Sequence, residues 1–102
     1  MGSYRLTRRA ENDLFEIGEY TVRTWGTRQC ASYIDGLESC CQRLADNPNL
    51  GRSCESLRPG YWRMEQGKHV VFYQIDNDNI LVIRILHVRM LPQLHLNDDL
   101  EK

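Results

Sequence analysis

The sequence predicts an α+β domain: an N-terminal short strand, then an antiparallel helical hairpin packed on a curved antiparallel sheet, in the order β-α-α-β-β-β. Three observations predict it. Apolar residues recur at helical spacing in two adjacent segments, a single glycine divides those segments, and the second half of the chain holds three β-forming runs separated by turn residues.

Tyr4-Arg5-Leu6 alternates and reads as an edge strand. Thr7 follows as a helix cap, because its hydroxyl can accept an N–H from the first turn. Ala10, Leu14, Ile17, Thr21 and Trp25 fall on one helical face, with Glu11, Asp13, Glu16, Glu19 and Arg23 on the others. Gly26 supplies the stop, since glycine enters the left-handed region without strain. Thr27 is then expected to cap a second helix, whose stripe is Cys30, Ile34, Leu37, Cys41 and Leu44 and whose end is Asn47-Pro48. A link this short folds the two helices into a hairpin. Residues 48–60 hold two of the three prolines and read as irregular.

The meander comes next, as Tyr61–Glu65, Lys68–Ile75 and Ile80–Val88, with turns at Gln66–Gly67 and Asp76–Asn79. The middle run is apolar on both faces, which places it at the centre of the sheet. In the third run, Leu81, Ile83, Ile85 and His87 are expected to face the hairpin, leaving Arg84 to project from the opposite, concave face. Beyond Met90 the chain carries Leu91, Leu94, Leu96 and Leu100, which would dock a turn or short helix, and an acidic tail over residues 97–102. One domain spanning residues 1–102 accounts for the whole pattern.

Composition narrows the function classes. The chain is 41% apolar and 26% charged, and no apolar run reaches the ~18–20 residues of a bilayer span. Without a signal-peptide core at its start, the chain reads as cytoplasmic; Gly2-Ser3 fits a cloning remnant. Cys30, Cys40, Cys41 and Cys54 show neither a C-x-x-C pair nor a disulfide framework and read as small hydrophobes. Net charge is −1 and the pI near 6.3, which argues against direct nucleic-acid binding. Eleven of the thirteen basic residues are arginine, the side chain favoured at protein interfaces.

Arg58, Arg63, Arg84, His87 and Arg89 interrupt the meander. Arginine is poorly tolerated in a sheet core unless paired, so these residues are expected to line an exposed face or rim and form a recognition surface. The plain alternative for each is solvated surface with local salt bridges. No metal-ligand spacing, G-x-S-x-G serine or glycine-rich phosphate loop is present, and no cofactor is expected.

The sequence resembles toxins of the ParE/RelE superfamily from about Tyr4 to His95. The residues that carry the likeness are Y-x-L-T at Tyr4–Thr7 with Ala10, Asp13-Leu14 and Ile17, then Trp25-Gly26, Leu44-Ala45, Pro48 and Gly51. L-R-P-G at Leu57–Gly60, H-V-V-F-Y at His69–Tyr73 and R-I-L-H-x-R-M at Arg84–Met90 are similar to the ParE branch in particular. The resemblance implies the toxin of a type II toxin–antitoxin module, neutralised by a ParD-like antitoxin and inhibiting DNA gyrase by protein–protein binding. The alternative branch, RelE, cleaves messenger RNA on the ribosome. Its K-x-K pattern corresponds here to Tyr61 and Arg63, its arginine at the head of the central strand to Val70, and no tyrosine follows Tyr73. His87 and His95 are the stand-ins an endoribonuclease would need. The ParE reading makes Arg58, Arg63, Arg84, His87, Arg89 and Met90 candidates for target binding. Tyr20, Trp25, Tyr33 and Leu37 are the candidates for antitoxin binding, on the apolar ground of the hairpin or beside a free strand edge.

Overall fold

The computed structural model describes residues 2–90 together with Pro92 and Leu96. The elements run β1 (Tyr4–Leu6), α1 (Arg8–Trp25), α2 (Thr27–Asp46), a 3-10 turn (Pro48–Leu50), β2 (Arg52–Ser53), β3 (Tyr61–Gln66), β4 (His69–Asp76) and β5 (Asn79–His87). The order in the sheet is β1-β5-β4-β3-β2, so β4 is central as expected. β2 through β5 are antiparallel, while β1 joins β5 in parallel, Tyr4 opposite Ile80 and Leu6 opposite Val82. From β1 the chain passes through the two helices and re-enters the sheet at β2, on the opposite edge. β2 was not anticipated: two exposed residues pairing with Arg63 and Trp62 leave no periodic signal.

Thr7 starts α1 by the expected mechanism, its Oγ1 accepting from the Ala10 N–H at 3.0 Å. Ala10, Ile17 and Thr21 are buried, and the Thr21 hydroxyl is satisfied by the Ile17 carbonyl at 2.6 Å. Gly26 closes α1 with φ 93° and is also the N-cap of α2. Thr27 is thus the first helical residue, not the cap, and α2 has no side-chain cap bond. A one-residue link at positive φ needs glycine, because a Cβ there would be strained. Asn47 ends α2 as expected.

The sheet separates two apolar clusters. Against the helices, Leu37, Cys41 and Leu44 of α2 and Ala10 and Ile17 of α1 pack on Val71, Tyr73, Ile80, Val82 and Ile85. On the far face, Tyr61, Val70, Phe72, Ile83 and Leu86 form a second cluster, covered by Cys54, Leu57, Met90 and Leu96. The expected open concave face is therefore largely filled. The cover comes from the 54–60 segment and the residues after β5. Leu91, Leu94, Leu100 and the acidic tail lie outside the described residues.

The expected alternation along β5 fails because of a β-bulge. Tyr73 pairs with Val82 but Phe72 pairs with Arg84, so Ile83 is one residue too many. An extra residue exchanges the faces of everything after it. Ile80 and Val82 thus join Ile85 on the helix side, while Ile83 turns to the far cluster.

Tyr73 anchors the irregular segment. Its buried hydroxyl donates to the Pro48 carbonyl at 2.7 Å and accepts from the Gly51 N–H at 3.2 Å. A Cβ on Gly51 would meet that hydroxyl and the Arg63 carbonyl, the latter at 2.6 Å, so glycine is required for the approach. Three of the residues behind the family likeness, Pro48, Gly51 and Tyr73, therefore meet at one point.

Candidate functional site

The bulge sets the position of Arg84. Beyond Val82, β5 has outrun β1 and its edge groups need other partners. The N-terminal turns of α1 supply them. The Thr7 hydroxyl donates to the Ile83 carbonyl at 2.7 Å, and Asp13 Oδ2 accepts from the Ile85 N–H at 3.0 Å. Asp13 also takes Arg84 in a two-pronged pair, Nε to Oδ2 at 2.7 Å and Nη2 to Oδ1 at 2.9 Å. Arg84 is only 8% exposed. The expectation of a surface-projecting Arg84 is thereby corrected: a buried arginine persists because its charge is matched and its donors are filled.

The remaining target-binding candidates do not form one row. Arg63 shares the far face with Phe72, its partner in the ladder, and Arg58 lies 5.9 Å over the ring of Tyr61. Arg63 stands directly opposite Arg52, and Glu65 reconciles the two, at 3.0 Å from Arg63 and 2.8 Å from Arg52. The Arg63 hydrogen bond, with the charge of Arg52, holds the Glu65 carboxyl below its ordinary range. Met90 is half-buried against the far cluster, whereas Arg89 is exposed.

His87 belongs to a cluster that the sequence did not disclose. It pairs with His69 across the β4–β5 ladder, with ring centroids 5.3 Å apart, edge to face. Tyr33 of α2 reaches the same point, its hydroxyl 2.6 Å from His69 Nδ1 and accepting from the Lys68 N–H at 3.0 Å. Burial, and then the neighbouring His87, push His69 down to about 4; Asp13 opposes the shift. His69 stood in the sequence only as the opening of an apolar run, and nothing there signalled its pairing. His95 lies outside the described residues.

On the other side of the helical layer, an open apolar groove of about 560 Å³ runs along the hairpin. Leu14, Phe15, Gly18 and Val22 of α1 line one wall, Cys30 and Ile34 of α2 the other, with Leu6 at one end. Phe15 is 65% exposed and, with Val22 at 40%, makes the groove's rim a contiguous apolar patch rather than a single exposed side chain. The antitoxin-binding candidates scatter around this groove. Trp25, 68% exposed, ends α1 near it, and Tyr20, 60% exposed, is five residues from Phe15, about 140° around the helix. Tyr33 is engaged with His69 instead. Leu37 is 1% exposed and is core, so it is corrected from the surface set. Phe15 and Val22 were passed over because they fall outside the chosen stripe, although their spacing of seven is itself a helical face.

Among the described residues, no three His, Cys, Asp or Glu side chains gather as a metal site, and no helix is long and apolar enough to cross a membrane. All four cysteines are free. Burial raises the thiols of Cys40 and Cys54, and lifts that of Cys41 to about 12 with help from Cys40 and Glu38.

Comparison with known proteins agrees with the likeness read from the motifs. Residues 4–92 match the model of a family described as the ParE toxin of the type II toxin–antitoxin system parDE. Toxin ParE1 of Caulobacter vibrioides is 41% identical over 96 residues, covering 94% of this chain and 99% of the relative. Toxin ParE1 of Mycobacterium tuberculosis is 38% identical over 88 residues, covering 85% and 90%. Toxin ParE of Escherichia coli is 36% identical over 103 residues and covers 99% of each chain. A solved structure described as a chromosomal ParDE TA system from P. aeruginosa shares the fold, with TM-score 0.72, 22% identity, and coverage of 85% of this chain and 96% of its own.

Proposed function

The chain belongs to the ParE toxin family of type II toxin–antitoxin systems, and on that premise we propose that it arrests growth in the cytoplasm by binding DNA gyrase at the stage of cleaved DNA, with no catalytic chemistry of its own. A ParD-like antitoxin holds it silent. The observation that carries the reading is the 41% identity to a ParE toxin across 99% of that protein's length.

Two features support it. Arg84, the arginine of the R-I-L-H-x-R-M motif, is committed to Asp13 and is not free to stabilise a phosphate in flight. The groove between Phe15, Val22 and Ile34 offers an antitoxin an apolar seat of the kind an amphipathic helix fills. Purified protein is expected to inhibit gyrase supercoiling, or to accumulate cleaved DNA, and to leave ribosome-bound messenger intact. Site-specific messenger cleavage with gyrase unaffected would replace this reading with the endoribonuclease one.

A further inference from the structure

The end of the sheet where β4 begins and β5 finishes gathers two histidines and two exposed cationic residues. The Val88 N–H donates to the Lys68 carbonyl at 2.9 Å, which holds the two segments side by side. His69 and His87 face each other between them. His87 Nδ1 accepts the Arg89 N–H at 3.1 Å, and His69 Nδ1 lies 2.6 Å from the Tyr33 hydroxyl, which also stands 3.4 Å from the Gln66 carbonyl. A neutral imidazole whose Nδ1 accepts carries its proton on Nε2. His87 therefore has an Nε2–H to offer, which suits an anion.

Charge points the same way. Lys68 precedes His69 and Arg89 follows His87 by two residues; both are exposed and form no ion pair among the described residues. Arg43 of α2 adds a third cation, tethered to Gln66 Oε1 at 3.4 Å. The carboxylate within electrostatic reach of His69, Asp13, is saturated by Arg84 and the Ile85 N–H. We propose that Lys68, His69, His87 and Arg89, backed by Tyr33, form an oxyanion-recognition site for the carboxylates of an acidic segment on a protein partner. Burial keeps the His69 ring neutral at physiological pH, so the positive charge of the site rests on Lys68 and Arg89.

A protein carboxylate fits better than a nucleic-acid phosphate. The whole chain carries a net charge of −1, so no broad positive field draws in a polyanion. A compact group of cations acts over roughly one Debye length, about 8–10 Å, which matches a short run of Asp and Glu. The site lies apart from the apolar groove, and its assignment does not depend on gyrase being the target.

The test uses the isotope-labelled full chain, titrated with a blocked hexaglutamate peptide and, separately, with a twelve-residue oligothymidylate. Peptide-induced amide shifts are expected to be confined to Tyr33, residues 66–69 and residues 87–89. The double variant K68A/R89A should lose roughly tenfold in affinity, the loss of two exposed charge contacts, with circular dichroism unchanged. His87→Phe keeps a ring in place, removes the Nε2 donor, and should weaken binding as well. Absent binding, shifts spread over the whole surface, or an unaltered double variant would overturn the site. Tighter binding of the oligonucleotide at the same residues would overturn the protein carboxylate as its ligand. Because gyrase is absent from the assay, neither result bears on the gyrase reading.

Discussion

At the scale of single residues, the pair Asp13–Arg84 is where chemistry and architecture meet. Removing one partner strands a buried charge, so Arg84→Ala or Asp13→Ala should each lower stability by about 3–5 kcal/mol in urea denaturation. The double change Asp13→Leu/Arg84→Met removes both charges and should cost less. It still orphans the Ile85 N–H, a loss of about 1–3 kcal/mol. A small change for Arg84→Ala, with toxicity lost, would return Arg84 to the interface. His69 makes a prediction of opposite kind. Its pKa is about 4 in the fold against 6.5 for a free ring, so between those values the unfolded chain binds more protons. Stability from this group is complete above about pH 6.5, declines as pH falls towards 4, and loses no more below that. Allowing for the ring's exposed edge, the span is about 1–2 kcal/mol. The groups facing the ring are Tyr33 from α2, His87 from β5 and Asp13 from α1. Urea midpoints at pH 7.5, 5.5 and 4 should converge for the protein and its His69→Gln variant as pH falls.

At the scale of elements, the hairpin separates core from the proposed docking ground. Leu37→Ala should cost about 2–5 kcal/mol, the ordinary loss for emptying a core site, whereas Phe15→Ala and Val22→Ala should leave the urea midpoint almost unchanged and weaken capture of the cognate antitoxin. Equal antitoxin affinity in all three variants would remove the groove from that role. Both helices were legible because their apolar periodicity and the Gly26 stop are local signals. The three long strands were legible for the same reason, to within a residue at most ends. The bulge was not, because the extra residue at Ile83 is as apolar as its neighbours and only the register against Phe72 and Tyr73 reveals it. Arg84 was misplaced for that reason, and Leu37 because a stripe does not say which of its members lie deepest. The His69–His87 pair is likewise a product of register, eighteen positions apart in sequence and adjacent in space.

At the scale of the whole molecule, the sheet carries apolar packing on both faces, and the thiols are distributed through it. Cys40 and Cys41 lie in the helix-side cluster, Cys54 in the far one, and the half-buried Cys30 lines the groove. A thiol-specific chromophore should therefore label one cysteine quickly. The other three should react only as fast as the protein opens, since burial both covers them and raises their pKa. Bound antitoxin should slow the fast phase, and four equal rates would contradict the burial of the two clusters. The anion site takes His87 and Arg89 from the candidate target set, and the two half-buried arginine candidates stand apart from it. Arg58 and Arg63 lie on the face away from the helices, and the paired histidines at one end of the helix-side face.

The parallel seam between β1 and β5 joins the first strand to the last, and the Thr7 hydroxyl bonds a carbonyl 76 residues away. A nascent chain emerging from the ribosome therefore cannot complete the sheet, or tie α1 to it, until β5 has followed. Thr7, Asp13 and the inner face of α1 wait for partners that are synthesised near the end. Contacts of such long range make folding late and cooperative. Prematurely terminated translation yields fragments lacking β5, which can assemble neither the buried ion pair nor the full sheet. Such fragments leave the inner face of α1 without the strand it packs on, so limited proteolysis is expected to cut them well before it cuts the full chain.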